Sequence, residues 1–310
     1  MISLVIPVYN EGQHIAQSID AIRTIMVDND IDYQFVLIDD GSRDDTWLVL
    51  AQLTSELPGI KAIKLSRNFG KEAALCAGLD AADGDACVVM DADLQHPPKL
   101  IPEMVRLWRE EGYDVVEGIK TNRGKESFMY KLGARIFYRT FHRLSGLDLG
   151  KASDFKLMDR KVVDAWRKML ERGTFFRGMS AWVGFNRYQL PFAVERRIVG
   201  SSKWSPIKLG KLFISAITAF SSLPLQIITF LGGLFFIGSL ALAAQTLYMK
   251  IAGIAYTGFT TVILLQLIIG SALMLSLGII GTYLARIYDE VKYRPRYLIS
   301  NESSSQDKQH

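Results

Sequence analysis

ACVVMDADLQHPP, residues 86–98, is the stretch on which the reading of the whole chain turns. Its apolar start reads as a buried strand, its middle carries two carboxylates, Asp91 and Asp93, and Pro97-Pro98 opens a helix over KLIPEMVRLWREEG. Two carboxylates at the end of a hydrophobic strand cannot both be buried and charged without a counter-ion. A divalent cation would satisfy them, and hard oxygen ligands suit Mg²⁺ or Mn²⁺, with Gln95 adding a neutral oxygen nearby. Such a cation would bind a substrate diphosphate and stabilise charge on a departing group. An Asp-x-Asp triplet alone is common by chance; its place at a strand end gives it weight.

The segments on either side alternate in kind. ISLVIPV (2–8), QFVLIDD (34–40), KAIKL (61–65) and DVVEGI (114–119) read as further strands. Between them lie helical stretches: HIAQSIDAIRTIM, which Asn10 can cap, DDTWLVLAQLTSEL, which Ser42 can cap, and a third from about Lys71 to Ala82. Later come a short strand FKLMD, a helix VVDAWRKML and a strand RYQLPFAVE. Strand–helix alternation with short loops predicts an α/β domain with a mainly parallel sheet. Ligands bind such sheets beyond the carboxyl ends of the strands. Three polar clusters fall there: Tyr9-Asn10-Glu11, Asp39-Asp40-Gly41-Ser42 and Asp91-Ala92-Asp93. Asn10 and Ser42, taken alone, read as cap and turn residues.

Across the 310 residues, 49% are hydrophobic and 22% charged, an average that hides a division. Residues 1–211 are mixed and charged, whereas Leu212–Met249 and Ile251–Ala285 hold no Asp, Glu, Lys or Arg. Each run exceeds the ~20 residues needed to span a bilayer. Spans are expected within about Pro224–Tyr248 and Phe259–Ala285, joined by a connection whose one charge is Lys250. Lys203, Lys208 and Lys211 stand before the pair; Arg286, Lys292, Arg294 and Arg296 stand after it. The positive-inside rule then places both termini in the cytoplasm. The expected organisation is a globular domain over 1–200, an amphipathic interfacial segment over 201–221, a two-helix hairpin over 222–286, and a cytoplasmic tail over 287–310 that ends in the polar, disordered NESSSQDKQH. Cys76 and Cys87 read as reduced core residues. The N-terminus shows no signal peptide. The net charge of +4 is small, and no nucleic-acid partner is expected. Gly232, Gly233, Gly238, Gly270 and Gly278 could let helices approach closely, within one hairpin or in a homo-oligomer.

IPVYNEG, LIDDGSRDDT, LSRNFGKEAAL, MDADLQHPP and SDFKLMDR, in this order, resemble the family-2 glycosyltransferases of the GT-A fold. The hairpin and the motif RIYDEVKYRPRY narrow the resemblance to polyprenyl-phosphate glycosyltransferases, namely dolichol-phosphate mannose synthases and bacterial bactoprenol glucosyltransferases. It covers nearly the whole chain. It implies that Pro7, Tyr9 and Glu11 line the nucleoside pocket, that Asp40 contacts the base, and that Arg67 lies near the nucleotide. By the same resemblance Asp91, Asp93 and Gln95 hold the metal and diphosphate, and Asp154 faces the sugar or acceptor. Arg197 and Lys203 in RIVGSSKW resemble a mobile basic loop, and Lys120, Arg123, Lys131 and Arg135 are further phosphate candidates or simply a solvated basic face.

The implied reaction is inverting transfer of one hexose, glucose from UDP-glucose as the first choice, to undecaprenyl or another polyprenyl phosphate at the membrane, for cell-envelope glycan modification of the O-antigen kind. A phosphate acceptor is already anionic near neutral pH. Asp154 is therefore expected to position substrate rather than act as an obligatory base. Three alternatives stand beside this reading: a processive synthase, for which no Gln-x-x-Arg-Trp is present; a non-catalytic nucleotide-binding scaffold; and transfer of a modified sugar such as an amino-arabinose derivative.

Overall fold

The computed structural model describes residues 1–120, 153–173, 175–192, 223–253 and 258–305. It divides the chain into two compact units. One joins Met1–Trp204 to Arg294–His310; the other is Ser205–Tyr293.

The first unit is built on one eight-stranded sheet. Its elements in chain order are β1 (Ile2–Val8), α1 (Ile15–Asp28), β2 (Tyr33–Asp39), α2 (Thr46–Glu56), β3 (Ile60–Leu65), α3 (Lys71–Ala81), β4 (Ala86–Val89), α4 (Ile101–Arg109), β5 (Val115–Lys120), β6 (Lys156–Asp159), α5 (Arg160–Lys168), α6 (Phe176–Trp182), β7 (Arg187–Phe192) and, far downstream, β8 (Ile299–Ser304). The order across the sheet is β7-β5-β6-β4-β1-β2-β3-β8. β1 pairs in parallel with β2 and β4, and β2 with β3, whereas β6 runs antiparallel to both β4 and β5. The central strands are buried almost throughout, as a sheet covered on both faces requires.

One face carries the apolar sides of α1, α2 and α4, with Ile15, Ile19, Ile22, Leu50 and Met104 in a common core. The other carries α3, whose small residues let it sit close to the sheet. A Cβ on Gly78 would lie 2.3 Å from a methyl carbon of Val5, so a larger residue there would lift the helix. Arg167 of α5 fixes the far end of α3, its guanidinium donating to the carbonyls of Leu79, Asp80 and Ala82. The first residue of α3, Lys71, is thus held at a set height above the sheet.

Two expected caps are replaced by contacts between loops. α1 starts at Ile15 without a side-chain cap. Asn10 instead adopts φ 53°, and its Oδ1 accepts the amide of Arg43 at 3.0 Å. Ser42 Oγ accepts the amide of Asn10 at 2.9 Å rather than capping α2. These exchanges join the loops after β1 and β2 where a ligand would approach them. β4 also stops at Val89, so Asp91 and Asp93 belong to the loop beyond it.

The expectation of a disordered NESSSQDKQH is overturned for its first residues. Ile299–Ser304 forms β8, antiparallel to β3, with Ile63 opposite Glu302. Thr54 and Ser303 hydroxyls meet at 2.6 Å, Tyr297 donates to Asp80 at 2.8 Å, and Arg296 donates to the carbonyl of Met169. A polar segment can form such an edge strand because the backbone supplies the bonds. Residues 306–310 lie outside the described set. Deleting residues 298–310 is expected to bare the edge of β3, to cost about 3 kcal/mol or more, and to lower the Tm by roughly 6–12 °C with increased aggregation. An unchanged melting curve would mean the strand adds nothing to the sheet.

The second unit holds α7 (Leu223–Ile251) and α8 (Phe259–Val291). α8 runs six residues past the expected end of the second span at Ala285. Both helices are long and apolar enough to cross a membrane. Side chains such as Phe230, Phe236, Leu267 and Leu275 are exposed, unlike those of a core helix in a soluble protein. The amphipathic segment expected over 201–221 lies outside the described residues.

Candidate active site

The sheet order reverses at β1, which has β2 on one side and β4 on the other, and a crevice opens at their carboxyl ends. The cleft there measures about 350 Å³ and is lined by residues of all three polar clusters: Pro7, Tyr9, Glu11, Asp40, Asp91 and Asp93. Asn68, Gly70 and Lys71 complete its wall.

Each carboxylate is held differently. Asp40 accepts the amides of Phe69 and Gly70 at 2.7 and 2.9 Å, tying the loop LSRNFG to the end of β2. Burial pushes its carboxyl up, and the two amides pull against that shift. The loop needs the space next to Asp40. Gly41 has φ +66°, and a Cβ there would lie 2.3 Å from the backbone of Arg67. Asp93 accepts the backbone amide of Gln95 at 3.1 Å and its side-chain amide at 2.5 Å. Leu94 between them has φ 55°, a left-handed conformation costly for a branched side chain. Asp91 donates its amide to the buried His96 at 3.3 Å, and that ring stacks on Phe155, the neighbour of Asp154.

In the cleft wall, reaching behind it to Asp154, lies an ion-pair cluster that the sequence did not single out. Lys71 Nζ lies 2.5 Å from Asp91 Oδ1 and 2.7 Å from Asp154 Oδ2. Arg177 of α6 grips the same Asp154 through Nε at 2.7 Å and Nη2 at 3.1 Å. Burial alone would raise the Asp154 carboxyl, but Arg177 and then Lys71 outweigh it and hold the group far below the usual carboxylate range. For Lys71, burial works against the charge, and Asp91 and Asp154 more than restore it. Glu72 accepts the amide of Phe176 at 2.7 Å, and burial pushes its carboxyl up to about 7.

These two carboxyl groups act on stability in opposite directions with pH. Glu72 keeps its proton in the folded state up to about pH 7 but loses it near 4.5 when unfolded, so stability falls as pH rises between those values. Asp154 contributes stability above its unfolded value of 3.8, lost as pH drops below it. Glu72→Gln keeps the bond to Phe176 and removes the charge. It is expected to match the wild type near pH 5 and to exceed it by up to about 3 kcal/mol at pH 8, read as a higher Tm. Equal melting at both pH values would show that Glu72 is ionised throughout.

The described residues include no group of three His, Cys, Asp or Glu side chains already gathered to hold a metal ion. The charge of the cleft nevertheless fits a cation. Glu11 is pushed up by burial and next by the charge of Asp93, so these two carboxylates lie close enough to act on each other. The donors are all oxygen, the set that hard divalent ions take.

Residues 3–167 match the model of glycosyl transferase family 2, which covers more than half of the chain. The chain is a family-2 glycosyltransferase. An uncharacterized glycosyltransferase of Synechocystis sp. is 39% identical over 302 residues, covering 97% of this chain and 95% of that one. A bactoprenol glucosyl transferase of Shigella phage SfV is 33% identical over 305 residues, with 97% and 98% covered. A prophage bactoprenol glucosyl transferase homolog of Escherichia coli is 34% identical over 302 residues, with 96% and 98% covered. Among solved structures, mannosyl-3-phosphoglycerate synthase from Rubrobacter xylanophilus superposes with a TM-score of 0.49 at 17% identity, over 71% of this chain and 72% of that one.

For this family-2 transferase, the mixed and mostly parallel sheet is the GT-A architecture that the resemblance implied. Of the expected site residues, Pro7, Tyr9, Glu11, Asp40, Asp91 and Asp93 come together in the cleft. Gln95 turns back on Asp93, Asp154 lies behind the wall on Lys71, and Arg67 stacks on the ring of Phe69 at 4.3 Å. Arg123, Lys131, Arg135, Arg197 and Lys203 lie outside the described residues, as does the side chain of Lys120. Lys71 was missed, although its position held a signal. A lysine opening a helix opposes the helix dipole and needs carboxylates to keep it there.

Proposed function

We propose that this transferase moves one glucose from UDP-glucose to undecaprenyl or a related polyprenyl phosphate, with inversion at the anomeric carbon. The observation that carries the reading is a nucleotide-sized cleft ending in Asp91 and Asp93 within a chain that also bears two membrane-length apolar helices. Its alignment along nearly its full length with bactoprenol glucosyl transferases supports glucose as the sugar and a polyprenyl lipid as the acceptor.

In this reading Pro7, Tyr9 and Asp40 receive the nucleoside, and the diphosphate lies toward Asp91 and Asp93. A Mg²⁺ or Mn²⁺ ion held by those two carboxylates with Gln95 would neutralise the departing diphosphate. The acceptor phosphate carries its own negative charge and needs no base to create a nucleophile. In-line attack on an α-linked donor gives a β-linked product. The protein contributes position and electrostatics.

Chain topology supports this placement of the hairpin. The polypeptide leaves the catalytic unit after Trp204 and returns to it at Arg294. A chain that departs from one folded body and comes back to it crosses a bilayer an even number of times, which supports two spans with both flanks on the same side. Arg286, Lys292, Arg294 and Arg296 favour the cytoplasm for that side. Anchoring there raises the local concentration of a lipid acceptor.

The test is release of nucleoside diphosphate by detergent-purified protein with undecaprenyl phosphate, Mg²⁺ or Mn²⁺ and a panel of nucleotide sugars. Lipid-dependent UDP release with UDP-glucose, abolished by chelation, is the expected result. Release with a different donor alone would move the reading to a modified sugar, and a β-anomeric signal in the product checks the inversion.

A further inference from the structure

Lys71 occupies an unusual place for a cation in a cleft proposed to take a metal–diphosphate. Its ammonium lies 2.5 Å from Asp91, a candidate metal ligand, and 2.7 Å from Asp154, a carboxylate already gripped by Arg177. Its backbone is fixed by the helix it opens. It is the first residue of α3, a helix set close to the sheet at Gly78 and bound at its other end by Arg167. Asp93, two residues from Asp91, has no such cation and is bonded only to Gln95 among the contacts described.

The geometry points to Lys71 as a resident counter-ion that stands in for the divalent cation at Asp91, so that the cation enters this site together with the nucleotide and not before it. The inference rests on the reading of Asp91 and Asp93 as the pair that holds the cation. An incoming cation meets Asp93 bonded to the neutral amides of Gln95 but Asp91 already paired with an ammonium, with a positive charge a few ångströms away. That repulsion is on the order of tenfold or more in affinity for charges about 4 Å apart near a protein surface. A diphosphate reverses the balance. Its negative charges supply ligands to the cation and a new partner for the ammonium, and Asp91 is released to the cation. Lys71 is in this sense a positioning residue: it keeps Asp91 aimed at the cleft and tied to Asp154 while the cleft is empty of donor.

The test measures Mn²⁺ binding directly, from the spectroscopic signal of free Mn²⁺, using full-length protein in detergent with and without UDP. The wild type is expected to bind Mn²⁺ at least tenfold more tightly with UDP than without it. Lys71→Met is expected to bind Mn²⁺ alone on the order of tenfold more tightly than the wild type, with the gain from UDP reduced to match. Lys71→Arg keeps the charge and is expected to behave as the wild type, which a purely structural role for the lysine stem would not require. Binding of Mn²⁺ alone that is unchanged or weaker in Lys71→Met, while UDP still tightens it in the wild type, overturns the role of Lys71 and leaves the metal reading standing. No Mn²⁺ binding in any variant even with UDP removes the metal reading and this inference with it. Should Lys71→Met not fold, Lys71→Gln replaces it. The wild type is decisive without either, since Mn²⁺ bound as tightly without UDP as with it overturns the inference.

Discussion

Asp93→Asn is expected to lower turnover by at least a thousandfold while leaving the fold intact. The two parts of this expectation have separate causes. Asp93 lies on the loop beyond β4, outside the buried core, and its described bonds are to Gln95 alone. An asparagine can still accept the backbone amide of Gln95, so the left-handed turn at Leu94 survives and the melting temperature should move little. What is lost is a full negative charge at the outer end of the cleft. If that charge holds the cation that offsets the leaving diphosphate, its loss removes stabilisation made in the transition state. Loss of a single such group is worth about 3–4 kcal/mol, a factor of a few hundred to a thousand, and loss of the cation itself adds to that. Glu11 provides an internal check. Burial, the larger cause of the upward push on the Glu11 carboxyl, remains in the variant; the part due to the Asp93 charge goes, so its titration should move some way toward the ordinary range. Turnover within tenfold of the wild type would mean that the diphosphate is met by other groups.

Asp154→Asn is the second large effect, and it should fall on stability more than on chemistry. Asp154 is nearly buried and accepts bonds from both Lys71 and Arg177. Removing its charge takes one carboxylate from the Arg177 guanidinium and one of two from Lys71. Breaking a buried pair from one side costs about 3–5 kcal/mol; Lys71 and Arg177 are each partly open to solvent, so about 2–3 kcal/mol is the better figure. The catalytic loss should be roughly a hundredfold, through misplacement of Asp91 rather than loss of a proton acceptor. A carboxyl held this far below its usual range is a poor base near neutral pH. The pH profile separates the two roles. If Asp154 only positions, the variant keeps the shape of the wild-type profile at reduced height. Disappearance of an acidic limb from the profile would identify Asp154 as a base after all.

Much of this architecture is legible in the sequence, for a physical reason. β1, β2 and β4 are buried on both faces, so they appear as unbroken apolar runs, and the carboxylates that follow them stand out by contrast. β8 is invisible to the same reasoning. ISNESS holds one large apolar residue in six, because an edge strand facing solvent is specified by backbone bonds to β3 rather than by burial. The caps assigned to Asn10 and Ser42 erred similarly: those side chains satisfy amides of a neighbouring loop, a choice that local sequence does not encode. The aspartates of the site could be found one motif at a time. The Lys71–Asp154 pair could not, since its partners are 83 residues apart and meet only because α3 and β6 flank the same end of the sheet.

β8 also fixes an order of events in the life of each molecule. β3 is made early, whereas its partner strand comes after both apolar helices in the chain. At ordinary rates of synthesis the gap is on the order of tens of seconds. Through that interval the nascent catalytic unit carries an open sheet edge, and it closes only once both apolar helices have been made and the chain has returned. Completion of the catalytic unit is thereby a late step of biogenesis, and a ribosome stalled within the hairpin leaves behind a domain that is visibly unfinished to any factor that reads exposed strand edges.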